Sequence, residues 1–354
     1  MCTRRGLPIL LLVLSFSLLP VVGTAFTAKQ QRDLDTFRQI SQWMKDDNLE
    51  KLARFYEDGL YDSDIRGLEV ANFYTAAGHF GFNLHDYRRA ISIAQVGKDV
   101  CDRLIASGAV DVLDGDGGVY FQRCQMLRTK AQMMAYLDEV DEAITAMNEA
   151  LTALWNVYAD PKTKHYTKNP VNGGFAITFG QIVAPVFEAI KRNRGEEEAA
   201  LHLPLARAAL ASQAQIIDQL SKDGSIMEMH AVNYRRMTAW QLGEVLLATG
   251  NATEALDVLQ RAPLDKGMSP RTAPFLASFF MTKAKAQTVL GRYAEARPLL
   301  EEARDGLDKA KNIGAFMSAM RWVPRYLLGQ LAEAEGNAEL AVKAYLEAID
   351  IIRE

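Results

Sequence analysis

The chain has 354 residues, 49% of them hydrophobic and 24% charged, with a formal net charge of −4 at neutral pH. That length and apolar content provide for a large core and exclude disorder as the dominant state. The acidic balance argues against nucleic acid as a partner, because binding a phosphate backbone calls for a basic face.

Residues 1–25 stand apart. Arg4 and Arg5 precede an apolar run from Leu7 to Val22, and Gly23-Thr24-Ala25 supplies small residues at cleavage spacing. The segment reads as a signal peptide of an exported protein, periplasmic or secreted. The rival reading is an uncleaved anchor, but the run has 16 residues and includes Pro8 and Pro20, short of the roughly 20 apolar residues that span a bilayer. No stable membrane span is expected after cleavage. Cleavage would change the count from 40 basic and 44 acidic side chains to 38 and 44, a net charge of −6.

Residues 26–67 read as an N-terminal helical cap. Lys29 to Glu57 forms a helical pair in which Asp46-Asp47-Asn48 starts the second helix. From residue 68 onward a short pattern returns six times, with Pro/Gly/Ser-rich linkers nowhere dividing it. Ala77-Gly78 with Tyr87 and Ala90 is the first copy, and Ala131 with Val140-Asp141-Glu142-Ala143, Met147 and Ala150 the second. Gly195 with Ala200 is a third and loosest copy, with Pro185 and Pro204 placed to bend its helices. The fourth runs from Trp240-Gln241-Leu242-Gly243 through Gly250 to Ala255, Leu259 and Ala262. The fifth is Leu290-Gly291-Arg292-Tyr293-Ala294-Glu295-Ala296 with Leu300 and Ala303. The sixth joins Leu328-Gly329 to Gly336, Ala341, Tyr345 and Ala348.

The spacing has a direct physical sense. A first helix offers a small residue where a second must approach, and Gly250, Gly291 or Gly336 supplies a permissive turn. The second helix then carries an apolar stripe at i, i+4 and i+7, as in Ala255, Leu259 and Ala262. These residues resemble the tetratricopeptide repeat over roughly residues 68–354. The resemblance implies an all-α fold, a right-handed superhelical solenoid of antiparallel helix pairs. The six second-helix alanines, Ala90, Ala143, Ala200, Ala255, Ala296 and Ala341, are 53, 57, 55, 41 and 45 residues apart, against about 34 in the standard repeat. Longer helices or loops are therefore expected, and two long connections, Ser107–Gly118 and Tyr158–Gly174, fit that.

Chemistry finds little footing in the residues. Asp111, Asp114 and Asp116 sit among Gly115, Gly117 and Gly118, yet setting Gly117 at the sixth place of a helix-hand calcium loop puts Val112 at the first ligand and Arg123 at the last. The five histidines, at 79, 85, 165, 202 and 230, lack HExxH spacing, and no GxSxG, P-loop or Rossmann glycine set occurs. No catalytic residue, cofactor or metal is expected. Cys101 and Cys124 would lie on successive helices, as two buried thiols or as a pair. Asn251-Ala252-Thr253 is a glycosylation sequon in a eukaryotic host.

What remains is surface. The resemblance implies that first helices line a concave groove for a protein or peptide partner. Its contact positions fall on Asn72, Thr75, His79 and Asn83; on Gln125, Arg128, Gln132 and Tyr136; on Met237, Trp240, Gln241 and Glu244; on Met281 and Lys285; and on Tyr326 and Gln330. Trp240 and Tyr326 equally suit packing between repeats. The Lys/Asn pair by which some family members grip a terminal carboxylate is absent at those offsets, while Lys162, Lys164, His165 and Lys168 form a basic loop. The last helix, Tyr345–Glu354, reads as uncapped. It suggests self-association, or a regulatory portion of a larger effector, since it is similar to the junction before caspase-like CHAT domains. The leading expectation is a non-catalytic scaffold; a sensor of peptides or small ligands is a further alternative.

Overall fold

The computed structural model describes residues 73–74, 76–108, 118–159, 177–262, 273–309 and 320–353, with single positions between 28 and 54. The signal peptide, most of the cap, the bulk of both long connections, the Asp111–Gly117 cluster and the basic loop lie outside the described residues. Within them the chain is all-helical, with twelve α-helices and one π-helical segment, His79–Asn83. It divides into two compact units, one of Gly23–Tyr234 and one containing Arg235–Glu354.

In the first unit the π segment leads into α1 (Tyr87–Ala106), followed by α2 (Gly118–Tyr136), α3 (Val140–Ala159), α4 (Thr178–Arg194), the short α5 (Glu196–Leu201) and α6 (Leu203–Lys222). Asp86 caps α1 by accepting from the Arg89 amide at 3.2 Å. Ala90, Ile93, Ala94, Gly97, Val100 and Cys101 form its buried stripe, one face of a 3.6-residue period. That stripe packs with Phe73, Phe80, Met126 and Met133, and Trp43 leans on the same cluster. α2 is enclosed by α1, α3 and α4, so it carries buried side chains all round, as a central helix must. Lys98 of α1 ties Asp102 (2.8 Å) to Glu149 of α3 (3.5 Å), and Arg123 of α2 reaches Asp102 at 2.5 Å. Trp155 Nε1 donates to Ser212 Oγ at 3.0 Å, fixing α3 to α6. Cys101 and Cys124 are buried as thiols.

α7 (Glu228–Ala248) opens in the first unit, and its residues from Arg235 onward belong to the second. There it is followed by α8 (Ala252–Arg261), α9 (Ala273–Val289), α10 (Tyr293–Lys309), α11 (Trp322–Ala334) and α12 (Ala338–Arg353). Ala296, Leu300, Ala303 and Leu307 of α10 close on Phe279, Met281 and Ala284 of α9 and on Leu327, Leu328 and Leu331 of α11. Asp308 fastens α10 to α11 through Arg321 (3.1 Å) and Arg325 (2.6 Å). Among the described residues no helix is long and apolar enough to cross a membrane.

One turn recurs. After α7, α9 and α11 a glycine takes the left-handed conformation: Gly250 (φ 75°), Gly291 (72°) and Gly336 (75°). The residue after it donates back across the turn, Asn251 to the Leu246 carbonyl (2.7 Å), Arg292 to Gln287 (2.8 Å) and Asn337 to Ala332 (2.8 Å). This is the Schellman ending of a helix. The α2–α3 connection makes the same bond, Glu139 to Met134 at 3.0 Å, with Asp138 (φ 59°) where the others have glycine. In all four the buried alanine is the residue whose amide bonds the carbonyl just past the turn: Ala143 to Glu139, Ala255 to Asn251, Ala296 to Arg292 and Ala341 to Asn337.

The Gly195 copy corrects the expected alignment. Gly195 (φ 91°, ψ 174°) is itself the residue that starts α5, so the turn is one residue shorter and Ala199, bonded to the Gly195 carbonyl at 3.3 Å, takes the buried place. Ala200 is exposed. α5 stops after six residues, and Pro204, which lacks an amide hydrogen, sits in the first turn of α6. A second correction falls on Ala262: α8 ends at Arg261, and Ala262 joins the core from an extended conformation beyond the helix.

Candidate binding surface

The expected groove residues divide sharply by depth. In the first unit Asn72, Thr75 and the side chain of Asn83 lie outside the described residues. His79 is half-buried, its ring 6.0 Å from that of Phe80. Gln125, Arg128 and Gln132 are buried at 5%, 7% and 8% exposure, because α4 packs on the face of α2 that carries them. Gln125 Nε2 donates to Thr178 Oγ1 (3.4 Å) and Gln132 Nε2 to the Gln181 carbonyl (3.0 Å). The Arg128 guanidinium donates to Gln181 Oε1 and the Tyr74 hydroxyl and lies 5.3 Å from the Tyr74 ring centre. These three side chains hold helices together and leave Tyr136, 44% exposed and 5.4 Å from the Tyr87 ring, as the residue of that quartet facing solvent.

In the second unit Met237, Gln241 and Met281 are buried, and Trp240 packs half-buried against the α9–α10–α11 core. The other four gather. Lys285 of α9 reaches Glu244 of α7 at 3.3 Å, and Glu244 also accepts from Thr282 Oγ1. Lys285 and Gln330 of α11 line one hollow of about 130 Å³ with Thr288, Val289, Leu300 and Leu327. Gln330 Nε2 donates to the Tyr326 hydroxyl at 3.1 Å. Tyr326, 42% exposed, stands edge-on to Trp322 and 5.6 Å from the Tyr345 ring. Burial and the hydrogen bond to Glu333 (2.6 Å), with Tyr326 nearby, push the Tyr345 phenol up to about 12. It stays protonated at neutral pH as a donor.

The helices that open successive hairpins thus carry two bonded pairs, Glu244 with Lys285 and Gln330 with Tyr326, and Lys285 and Gln330 line the same hollow. Sequence reasoning missed Thr288 and Val289, the latter 69% exposed. Their offsets of three and four residues from Lys285 put them on its helix face and were the available signal. A larger open depression of about 800 Å³ runs past the α7–α8 turn to Leu290 and Arg292. At its rim the Asn251 amide of the sequon donates to Thr249 O (3.0 Å) and Oγ1 (2.9 Å).

For chemistry the described residues offer less. Burial pushes the Cys124 thiol up to about 12 against the smaller pull of Arg123, so it is no thiolate at neutral pH. Among the described residues no three His, Cys, Asp or Glu side chains are grouped to hold a metal ion. No family model matches the chain, and no curated protein matches it.

Proposed function

We propose that the chain is an exported, tetratricopeptide-type helical-repeat scaffold that binds a protein or peptide partner and carries out no reaction itself. The repeat reading rests on the buried alanine that follows the same turn after α2, α7, α9 and α11; the end of α6 makes that turn as well, at Gly224 with Ser225 bonded to the Leu220 carbonyl, without such an alanine. The observation that carries the binding surface is the linked set Glu244, Lys285, Gln330 and Tyr326 on α7, α9 and α11. The cation and the amide line a small hollow with Thr288, Val289, Leu300 and Leu327, and the anion and the half-exposed aromatic are hydrogen-bonded to them, a mixture suited to a polar peptide with one apolar anchor. The hollow is the size of one side chain, below the ~300 Å³ and upward of pockets for drug-sized ligands. At this hollow that favours a peptide side chain over a drug-sized ligand.

The test is affinity capture from the exported fraction of the native host, wild type against a Lys285→Glu, Tyr326→Ala double variant whose melting curve is unchanged. A partner held by wild type and at least about tenfold weaker on the variant is expected, in line with hot-spot losses above 1 kcal/mol. Equal retention by both would remove this surface from the assignment.

A further inference from the structure

The outer face of α12 is the largest apolar stripe that the described helices leave open. Val342, Leu346, Ile349 and Ile352 are 58%, 56%, 41% and 62% exposed, while Ala341 and Ala348 on the opposite side are buried. Four charged residues frame it, Glu339, Lys343, Asp350 and Arg353, all exposed. None of the four has an ion-pair partner among the described residues, in contrast to most charges of the neighbouring helices.

We propose that this face is a homodimer interface in which two copies of α12 pair antiparallel about a two-fold axis at Leu346. The arrangement follows from helix geometry, with 100° and 1.5 Å per residue. Leu346 points directly away from the buried alanines. Lys343 and Asp350 flank it on one side, three residues before and four after; Val342 and Ile349 flank it on the other, four before and three after. A two-fold axis perpendicular to the helices keeps each flank on its own side and reverses the order along the axis. Lys343 therefore meets Asp350 of the second copy, Val342 meets its Ile349, and Leu346 meets Leu346. Glu339 and Arg353, seven residues to either side, meet at the ends. Every contact is reciprocal, as an isologous interface requires. A parallel pairing in register would exchange the flanks and set Lys343 and Asp350 against the apolar Val342 and Ile349 of the second copy with no ion pair, so the charges select the antiparallel form. The apolar residues supply the attraction and the ion pairs the register. One helix per copy is a small interface, so a weak, concentration-dependent dimer is expected.

The experiment is analytical ultracentrifugation of the full chain between about 1 and about 200 µM, the range in which a small interface equilibrates. Wild type is expected to dimerise, and Leu346→Lys, at an exposed site, to raise the dissociation constant at least tenfold with the melting curve unchanged. Lys343→Asp is expected to weaken the dimer and the exchange Lys343→Asp, Asp350→Lys to restore it. Under mild oxidation Leu346→Cys is expected to cross-link to itself, while Leu340→Cys and wild type stay uncross-linked. A wild type that remains monomeric throughout, a dimer indifferent to Leu346→Lys, or an exchange that does not restore pairing would overturn the proposal. Binding of a partner at Lys285 and Tyr326 is read separately and does not decide the outcome.

Discussion

Asp138 holds a backbone conformation that an L-residue adopts at a cost of roughly 1–2 kcal/mol. What keeps it there is distant in sequence: Arg192 Nε donates to its carboxylate at 3.0 Å and Asn193 Nδ2 at 2.8 Å. The Arg192 and Asn193 hydrogen bonds hold its carboxyl below the usual carboxylate range. Asp138→Ala keeps the strain and loses those solvent-exposed bonds, so it should lower stability by up to about 1 kcal/mol. Asp138→Gly loses the same bonds without the strain and should recover most of that loss. Urea unfolding of the two variants checks this; equal losses would mean the turn stores no strain. The sequence could not show this turn, because nothing within the α2–α3 segment names a residue 54 positions away as the partner. The same limit applied to Gln125, Arg128 and Gln132. Their positions on α2 were legible, but their burial depends on α4 lying across them.

At the level of the helix pair, the readable features were those fixed by neighbours in the chain. A glycine at a helix end, an alanine five residues on and a stripe at i+4 and i+7 are set by local sterics, and they match the turns after α7, α9 and α11, although at Ala262 the stripe runs past the end of α8. The Gly195 copy misled by one residue because glycine can serve either as the turn or as the start of the next helix. Close approach gives this level its own test. A Cβ on Gly329 would stand 2.4 Å from the Tyr345 ring, while at Gly243 it would meet Leu259 at 3.1 Å. Gly329→Ala should therefore cost about 1–3 kcal/mol through overpacking, more than the ~1 kcal/mol that alanine returns in helix propensity. In a Tyr345→Ala background the same change should become neutral or stabilising. A double-mutant cycle measures the difference, and additive effects would show that the α11–α12 contact does not depend on that fit.

Across the molecule, each unit is fastened by a carboxylate set between two basic groups, and this gives the chain a defined response to acid. Burial alone would raise the Asp102 pKa, but hydrogen bonds from Lys98 and Arg123 outweigh it and the net shift is downward. Asp308 behaves alike, burial being outweighed by Arg325 and Arg321. A carboxylate whose folded pKa lies below its unfolded value of about 3.9 contributes stability above that value and loses it as pH falls through the folded pKa. Stability should therefore be flat from neutrality down to about pH 5 on account of these groups and fall steeply beneath about pH 4. Asp102→Asn and Asp308→Asn should each lower the urea midpoint at neutral pH, the second more, since Arg321 and Arg325 expose only 12% and 11% of their side chains and would be left with a neutral partner. The gap between each variant and wild type should narrow as pH falls below about 4 and close only at a pH beneath the depressed folded pKa values of the two aspartates. A gap that stays constant down to that pH would show that these carboxylates act by shape and hydrogen bonding and not by charge.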